Sequence, residues 1–254
     1  MKHQQLQFSS ICDRIDVAYS ALEHQMGWSF LYTPQSTLHA LQPLLFLGLN
    51  PAGKEGQEYT RVPSCKLGNE YLHGCWGAGA GKAPLQIQVQ LLFRRIALSM
   101  GGDIDHVAMM DATLAANYVP FRSSRWATLG NKQQSLDFAS TLWSEILDHV
   151  QLHVIICIAY LAYDSIKAIL GSKGFTLRGA DQSRPIGWGR VTYNITELRN
   201  DYRTILLVRL PHLSTYKVFS CAKCETEIKR LVDRISSALD KSAVTLLRSR
   251  ATPA

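Results

Sequence analysis

The sequence predicts an α/β fold, three layers deep (α/β/α), around a central, mainly parallel sheet of four or five strands. Three observations lead there. Continuous apolar runs of strand length occur at Pro43-Leu-Leu-Phe-Leu-Gly-Leu-Asn50, His153-Val-Ile-Ile-Cys-Ile-Ala159 and Arg203-Thr-Ile-Leu-Leu-Val-Arg-Leu210, the pattern of strands buried on both faces. Stretches with helical spacing lie between them, and strands alternating with helices imply parallel pairing beneath two helical layers. The strands run into tight loops that carry polar side chains, which is where ligands bind in open sheets of this kind.

In chain order, residues 1–42 read as a mostly helical lead-in whose apolar positions are Ile11, Ile15, Val17, Ala18 and Leu22. The first strand covers 43–50 and stops at Pro51-Ala-Gly53. Residues 54–82 form a long polar loop with Gly68, Gly74, Gly77, Gly79 and Gly81, and with Tyr71 and Trp76 among them; loops of that length inside a domain are usually functional or mobile. A helix over 84–100 starts at Pro84 and ends at Gly101-Gly102. A second strand and its exit are expected over 106–119, leading into Asn117-Tyr-Val-Pro-Phe-Arg-Ser123. An amphipathic helix spans 135–150, a strand 153–159, a helix 163–170 closed by Gly171, and two further strands 191–196 and 203–210. The last helix covers 224–239, ahead of a weakly basic tail. Neither a repeat nor a low-complexity tract breaks this order. One domain over 1–254 is therefore expected, with lead-in 1–42, core 43–220, and C-terminal helix and tail 221–254.

Hydrophobic residues make up 46% of the 254 and charged residues 19%, a globular rather than a disordered composition. A chain this long buries a sizeable core without disulfides, so the six cysteines are expected as free thiols of a cytoplasmic protein. Nothing approaches the roughly 20 consecutive apolar residues of a membrane span, and the opening MKHQQLQFSSICDR lacks the apolar stretch of a secretory signal. The 27 Lys and Arg outnumber the 20 Asp and Glu, for a net charge of +7. That balance favours a polyanionic partner such as nucleic acid, and it equally serves solubility alone.

Chemistry is carried by three strand-end loops. Asn50, directly after an apolar strand and before Pro-Ala-Gly, sits on a rigid stem where it can position a water or a substrate group; an Asn there also closes turns. Asn117 occupies the same place on the next strand, and its amide has the donors and acceptor to pair with a nucleobase edge, or to cap a turn. His212 follows the last strand, where it can donate to a developing oxyanion or simply fill space.

These segments carry a resemblance. Gly48-Leu-Asn-Pro-Ala-Gly53, Asn117-Tyr-Val-Pro120 and His212-Leu-Ser214 resemble, in order, the signature loops of the uracil-DNA glycosylase superfamily, over about residues 44–220. The first resembles the Gly-x-Asn-Pro-Gly form found in the single-strand-selective and mismatch-specific branches. The resemblance implies a monofunctional DNA glycosylase that flips a non-standard pyrimidine and hydrolyses its N-glycosidic bond, leaving an abasic site without metal or cofactor. Asn50 would hold the attacking water, more weakly than the aspartate of faster branches. Asn117 would read the pyrimidine edge, and His212 would stabilise negative charge on the pyrimidine O2. Ser214 would touch a phosphate, while Tyr216 and Lys217 would enter the space left by the flipped nucleotide.

The departures bear on the substrate. Leu213 replaces the proline usual between the His and Ser of the third loop. The aromatic that stacks on the base in the Asn-loop branch is missing at Arg61-Val-Pro-Ser64. Tyr59, Tyr71 and Trp76 are the candidates to replace it, and a small residue such as Ser64 fits a roomier pocket. Uracil is the default substrate; a bulky modified cytosine of phage DNA, such as glucosylated hydroxymethylcytosine met in antiviral defence, is the rival. Lys54, Lys82, Arg122 and Arg125 are expected to grip the DNA backbone.

Other features read more weakly. Cys221-Ala-Lys-Cys224 has the spacing of half a zinc site that Cys65, His73 and Cys75 would have to complete, or is two cysteines at the start of a helix. Gly77-Ala-Gly-Ala-Gly-Lys82 lacks the hydroxyl residue and the preceding strand of a phosphate loop. The charges of 229–234 alternate in sign, as on a solvated helix face. A non-catalytic nucleic-acid-binding protein on the same fold is the alternative function. DNA is the expected partner, and the sequence implies neither a membrane contact nor an obligatory protein partner.

Overall fold

A computed structural model describes residues 7–239 except 55, 57, 78, 102 and 103. The expected tail, the first six residues, Gly102 and Ala78 lie outside the described residues. The helices are α1 (Phe8–Ala21), α2 (Glu70–His73), α3 (Pro84–Ser99), α4 (His106–Ala112), α5 (Lys132–His149), α6 (Tyr160–Ser172) and α7 (Glu225–Ala238). The strands are β1 (Trp28–Ser29), β2 (Leu44–Gly48), β3 (Arg61–Val62), β4 (Leu114–Asn117), β5 (Val154–Cys157), β6 (Thr176–Leu177), β7 (Gln182–Pro185), β8 (Thr192–Arg199) and β9 (Thr204–Arg209).

The fold is three-layered α/β/α, as the apolar runs predict. In the central sheet β4-β2-β5-β9 are parallel, β8 runs antiparallel to β9, and β6 and β7 pair antiparallel with β8. Among the described residues the sheet has seven strands rather than four or five, because β6 and β7 are short and largely exposed and lack a strand's apolar signature. Successive residues of a strand face opposite layers. Leu45, Leu47, Ile155 and Leu207 join the core beneath α1, α5 and α6, whereas Leu44, Phe46, Ile156 and Val208 join the core beneath α3, α4 and α7.

The order of the parallel strands follows from their connections. The chain leaves β2 through α3 and α4 on one face and reaches β4, then returns through α5 on the other face to β5, on the opposite side of β2. Right-handed crossovers that reverse direction must use opposite faces. The sheet therefore has a switch point beside β2, and the crevice at its carboxyl end lies next to Asn50.

Several expectations need correction. Residues 106–112 are helix α4, not strand; Asp105 caps it by accepting from the amides of Val107 (3.0 Å) and Ala108 (3.4 Å), which favours a helix start. Only 8–21 of the described lead-in is α-helical. It packs on Ile11, Ile15 and Tyr19, one helical face, and leaves Val17 exposed. Residues 28–33 are mostly extended alongside β3 and β4 instead. The lead-in is thus part of the core. The 54–82 segment holds β3 and α2, and α3 pins its second half. Buried Gln86 donates to the carbonyls of Glu70 (2.9 Å) and Gly74 (2.7 Å), and Gln90 donates to those of Tyr71 and Gly81, both at 2.8 Å. Among the described residues no helix is long and apolar enough to cross a membrane.

Candidate functional site

Strand register sets the geometry of the three loops. Ala116, Leu47, Cys157 and Arg209 form one row across β4, β2, β5 and β9. Asn117 lies just beyond that row, and Asn50 and His212 each lie three residues beyond it, on the same edge of the sheet. Asn117 and Asn50 leave adjacent strands. His212 leaves the sheet two strands from Asn50, roughly 10 Å away at strand spacing.

The first two loops interlock. The Asn50 side-chain amide donates to Ser123 Oγ (2.8 Å) and to the carbonyls of Pro51 (3.2 Å) and Phe121 (3.4 Å). In return the Ser123 amide donates to the Pro51 carbonyl (3.3 Å), the Gly53 amide to the Ser123 carbonyl (3.0 Å), and Arg122 Nη1 to the Ala52 carbonyl (2.8 Å). Carbonyl oxygens only accept, so the orientation of the Asn50 amide is determined. Its nitrogen faces the neighbouring loop, and its Oδ1, for which no hydrogen bond is found among the described residues, is left as an acceptor.

Asn117 is buried, with its backbone amide donating to the Phe30 carbonyl at 3.1 Å. A Cβ on Gly48, its register partner, would lie 2.8 Å from Asn117 Oδ1. Gly48 therefore makes room for this amide. Among the described residues Asn117 Nδ2 is buried without a hydrogen-bond partner, a state that costs about 1–3 kcal/mol if water does not fill it. Tyr32 adjoins it. Burial raises the Tyr32 phenol pKa and the nearby Asn117 amide offsets part of that rise, though the contact lacks hydrogen-bond geometry at Nδ2. Tyr32 also packs on Tyr71 (5.5 Å) and Trp76 (5.7 Å), whose indole donates to Glu70 Oε1 at 2.9 Å.

His212 tops β9. Its Nδ1 lies 2.8 Å from Ser214 Oγ, and its carbonyl accepts from the amides of Thr215 and Tyr216. Burial of part of the ring holds its pKa below the usual 6.5 while an edge stays open to solvent, so the imidazole is neutral at pH 7. Where Ser214 donates to Nδ1, the neutral ring carries its proton on Nε2; in the other tautomer Nδ1 donates to Ser214. A cleft of about 510 Å³ lies beside it, walled by the ends of β5 and β9 and the start of β8.

The remaining expected residues divide. Arg122 and Ser214 belong to the two loop sets above, and Tyr216 lines the cleft beside His212. Lys54, Lys82, Arg125 and Lys217 are exposed. Tyr59 packs edge-on against Tyr19 of α1, 5.4 Å away, so it is not the aromatic beside Asn117; Tyr32 is. Ser64 lies on the stretch whose neighbours Pro63 and Cys65 bond to Leu31 and Thr33, next to Tyr32 in the chain pairing. Tyr32 falls in the lead-in that the sequence presents as mostly helical; its signal there is the extended pattern Trp28-Ser-Phe-Leu-Tyr32. Ser123, Arg209 and Trp188 carry no motif that marks them in the sequence.

Cys221 and Cys224 are mutual neighbours. Burial, then the Cys221 thiol, pushes Cys224 up to about 11, so it is a thiol and not a thiolate at neutral pH. Among the described residues no group of three or more His, Cys, Asp or Glu side chains is placed to hold a metal ion. Comparison with family models and with curated proteins gives no match for this chain.

Proposed function

We propose that this protein is a monofunctional DNA glycosylase that hydrolyses the N-glycosidic bond of a flipped, non-standard pyrimidine. The observation that carries the reading is the buried, unpartnered Asn117 amide nitrogen, set on adjacent strands with the open Oδ1 of Asn50. A buried donor without a protein partner among the described residues suits an acceptor on a pyrimidine edge. The Asn50 Oδ1 accepts a hydrogen bond from a water and orients it towards C1′. As the C1′–N bond breaks, its electron pair leaves with the base, and negative charge collects on O2. A neutral His212 donates from Nε2 to that oxygen. The water adds to C1′ and loses a proton to solvent, giving an abasic deoxyribose and the free base. A sugar with oxocarbenium character needs charge stabilisation more than a strong nucleophile, so an amide in place of a carboxylate is compatible with slow turnover. The net charge of +7 supports a DNA partner, and six free thiols support a cytoplasmic setting.

The substrate is uracil or a bulky modified cytosine of phage DNA, the latter placing the enzyme in antiviral defence. The test is alkali-induced strand cleavage on uracil DNA and on natural phage DNA with modified cytosines. Abasic sites in one of the two, lost in His212→Ala and at least tenfold slower in Asn50→Ala, support the enzyme and name its base. Retained binding with no cleavage of either DNA overturns the enzyme and leaves a nucleic-acid-binding protein on this fold.

A further inference from the structure

The cleft beside His212 is built from an element the strand-end loops do not include. β7 and β8 form a hairpin whose turn carries Trp188 and Arg190, both exposed. The turn is fixed, not loose. Ile186 and Val191 close it by a backbone hydrogen bond of 2.9 Å. Gly187, at φ +91°, packs so tightly on the chain at 223–224 that a Cβ would lie 2.4 Å from the Lys223 carbonyl. Trp188 stands edge-on to Tyr216, 6.3 Å between ring centres.

Arg209, on the neighbouring strand β9, lines the same cleft. Its Nε and Nη2 donate to Asn194 Oδ1 at 2.8 and 2.6 Å, and Nη2 also donates to Thr192 Oγ1 at 2.9 Å. Its guanidinium lies over the Tyr160 ring at 5.6 Å. The acceptors are an amide and a hydroxyl, so they orient the fork without neutralising it. Asp164 is near enough to feel its charge, yet among the described residues Arg209 makes no ion pair, and no hydrogen bond from Nη1 is found. A half-buried cation held rigid by neutral groups, at the wall of an open cleft, is arranged to receive an anion.

We propose that this cleft binds a phosphodiester of a single-stranded nucleic-acid segment, with Arg209 and Arg190 on the phosphate and Tyr160 and the Trp188–Tyr216 pair as aromatic platforms for its bases. The proposal rests on the DNA reading above and extends it to the nucleotide adjoining the one that reaches His212. The volume fits a unit of nucleotide size, and cations interleaved with aromatics are how unpaired strands are held.

The experiment measures binding of a short single-stranded oligonucleotide carrying one tetrahydrofuran abasic analogue, across a range of salt, for wild type, Arg190→Ala and Arg209→Gln. Arg190 is exposed, so its variant guards against a folding defect at half-buried Arg209. Deoxycytidine monophosphate is titrated in parallel. Each variant is expected to weaken oligonucleotide binding about three- to tenfold and to flatten the log–log salt slope by about 0.7, the share of one phosphate on a single strand. Unchanged affinity and slope in both variants overturn the proposal while leaving glycosylase activity to stand on its own assay. Flattened slopes in a protein that forms no abasic sites keep the proposal and sink the glycosylase. Failure of the wild type to bind the oligonucleotide, with monophosphate binding that both variants abolish, overturns both and assigns the cleft to free nucleotides.

Discussion

Asn50 donates its amide hydrogens to two carbonyls and a hydroxyl of the loops around it. Aspartate at this position would be a stronger acceptor for a water, and in chemistry alone it should be faster. The surroundings forbid that gain. A carboxylate oxygen would stand against the carbonyls of Pro51 and Phe121, with only Ser123 able to donate. Asn50→Asp is therefore expected to destabilise the fold by about 1–3 kcal/mol and not to accelerate base release; thermal unfolding and single-turnover rates check both halves. At His212 the charge state is the issue. Burial lowers the pKa of His212, as it does that of buried His24, which bonds Ser135 Oγ at 3.0 Å. A depressed histidine pKa adds stability that is fully present above the unfolded value near 6.5 and is lost as pH falls, because the unfolded chain takes up the proton first. NMR titration is expected to place both midpoints below 6.5, and a midpoint of His212 above that value would remove the neutral donor from the mechanism.

Elements differ in how much of them the sequence displays. The buried strands β2, β5 and β9 are legible because both faces are covered and their central residues are apolar throughout. Helices α3, α5 and α7 are legible from periodicity. α4 is misread because His106-Val-Ala-Met-Met is a short apolar run that suits strand or helix equally; the cap at Asp105 decides it. β6 and β7 are invisible because they lie on the outer edge of β8 with little or no core contact. Of the site, Asn50, Asn117 and His212 were legible from their place after strands. The pairing of Asn117 with Gly48 and the anchoring of Arg209 by Thr192 and Asn194 depend on neighbours distant in sequence. The Gly-rich segment also reads differently once α3 is in view: it is tethered rather than loose. Gln86→Ala removes two hydrogen bonds to that segment and one from the Ala83 amide. About 1–3 kcal/mol of destabilisation and faster protease cleavage within 70–82 are expected, read by unfolding and by limited proteolysis.

At the scale of the molecule, the antiparallel extension pairs with the parallel strands along β8 and β9, and Asp181 adds a tie between β8 and α6. Burial alone would raise this carboxyl, but Lys167, Asn194 and Thr196 outweigh it and hold it at about 2. Tyr163 of α6 donates to it as well, at 3.1 Å. Its contribution is complete above the unfolded carboxyl value and is lost as pH falls towards 2. Asp181→Asn should therefore flatten the acid limb of the stability profile, and hydrogen exchange should quicken in β7 before it does in β5. The order of strands in the sheet also sets a timetable for synthesis. β9 is the last strand made, yet it lies between β5 and β8, pairing with both. A growing chain must hold two unsatisfied strand edges apart until β9 slides between them, and those edges are the surfaces through which unfinished chains aggregate. His212 follows β9, so a ribosome-bound fragment ending before 203 has neither a complete sheet nor the histidine of the third loop. The three strand-end loops therefore reach their common register only when the sheet is complete.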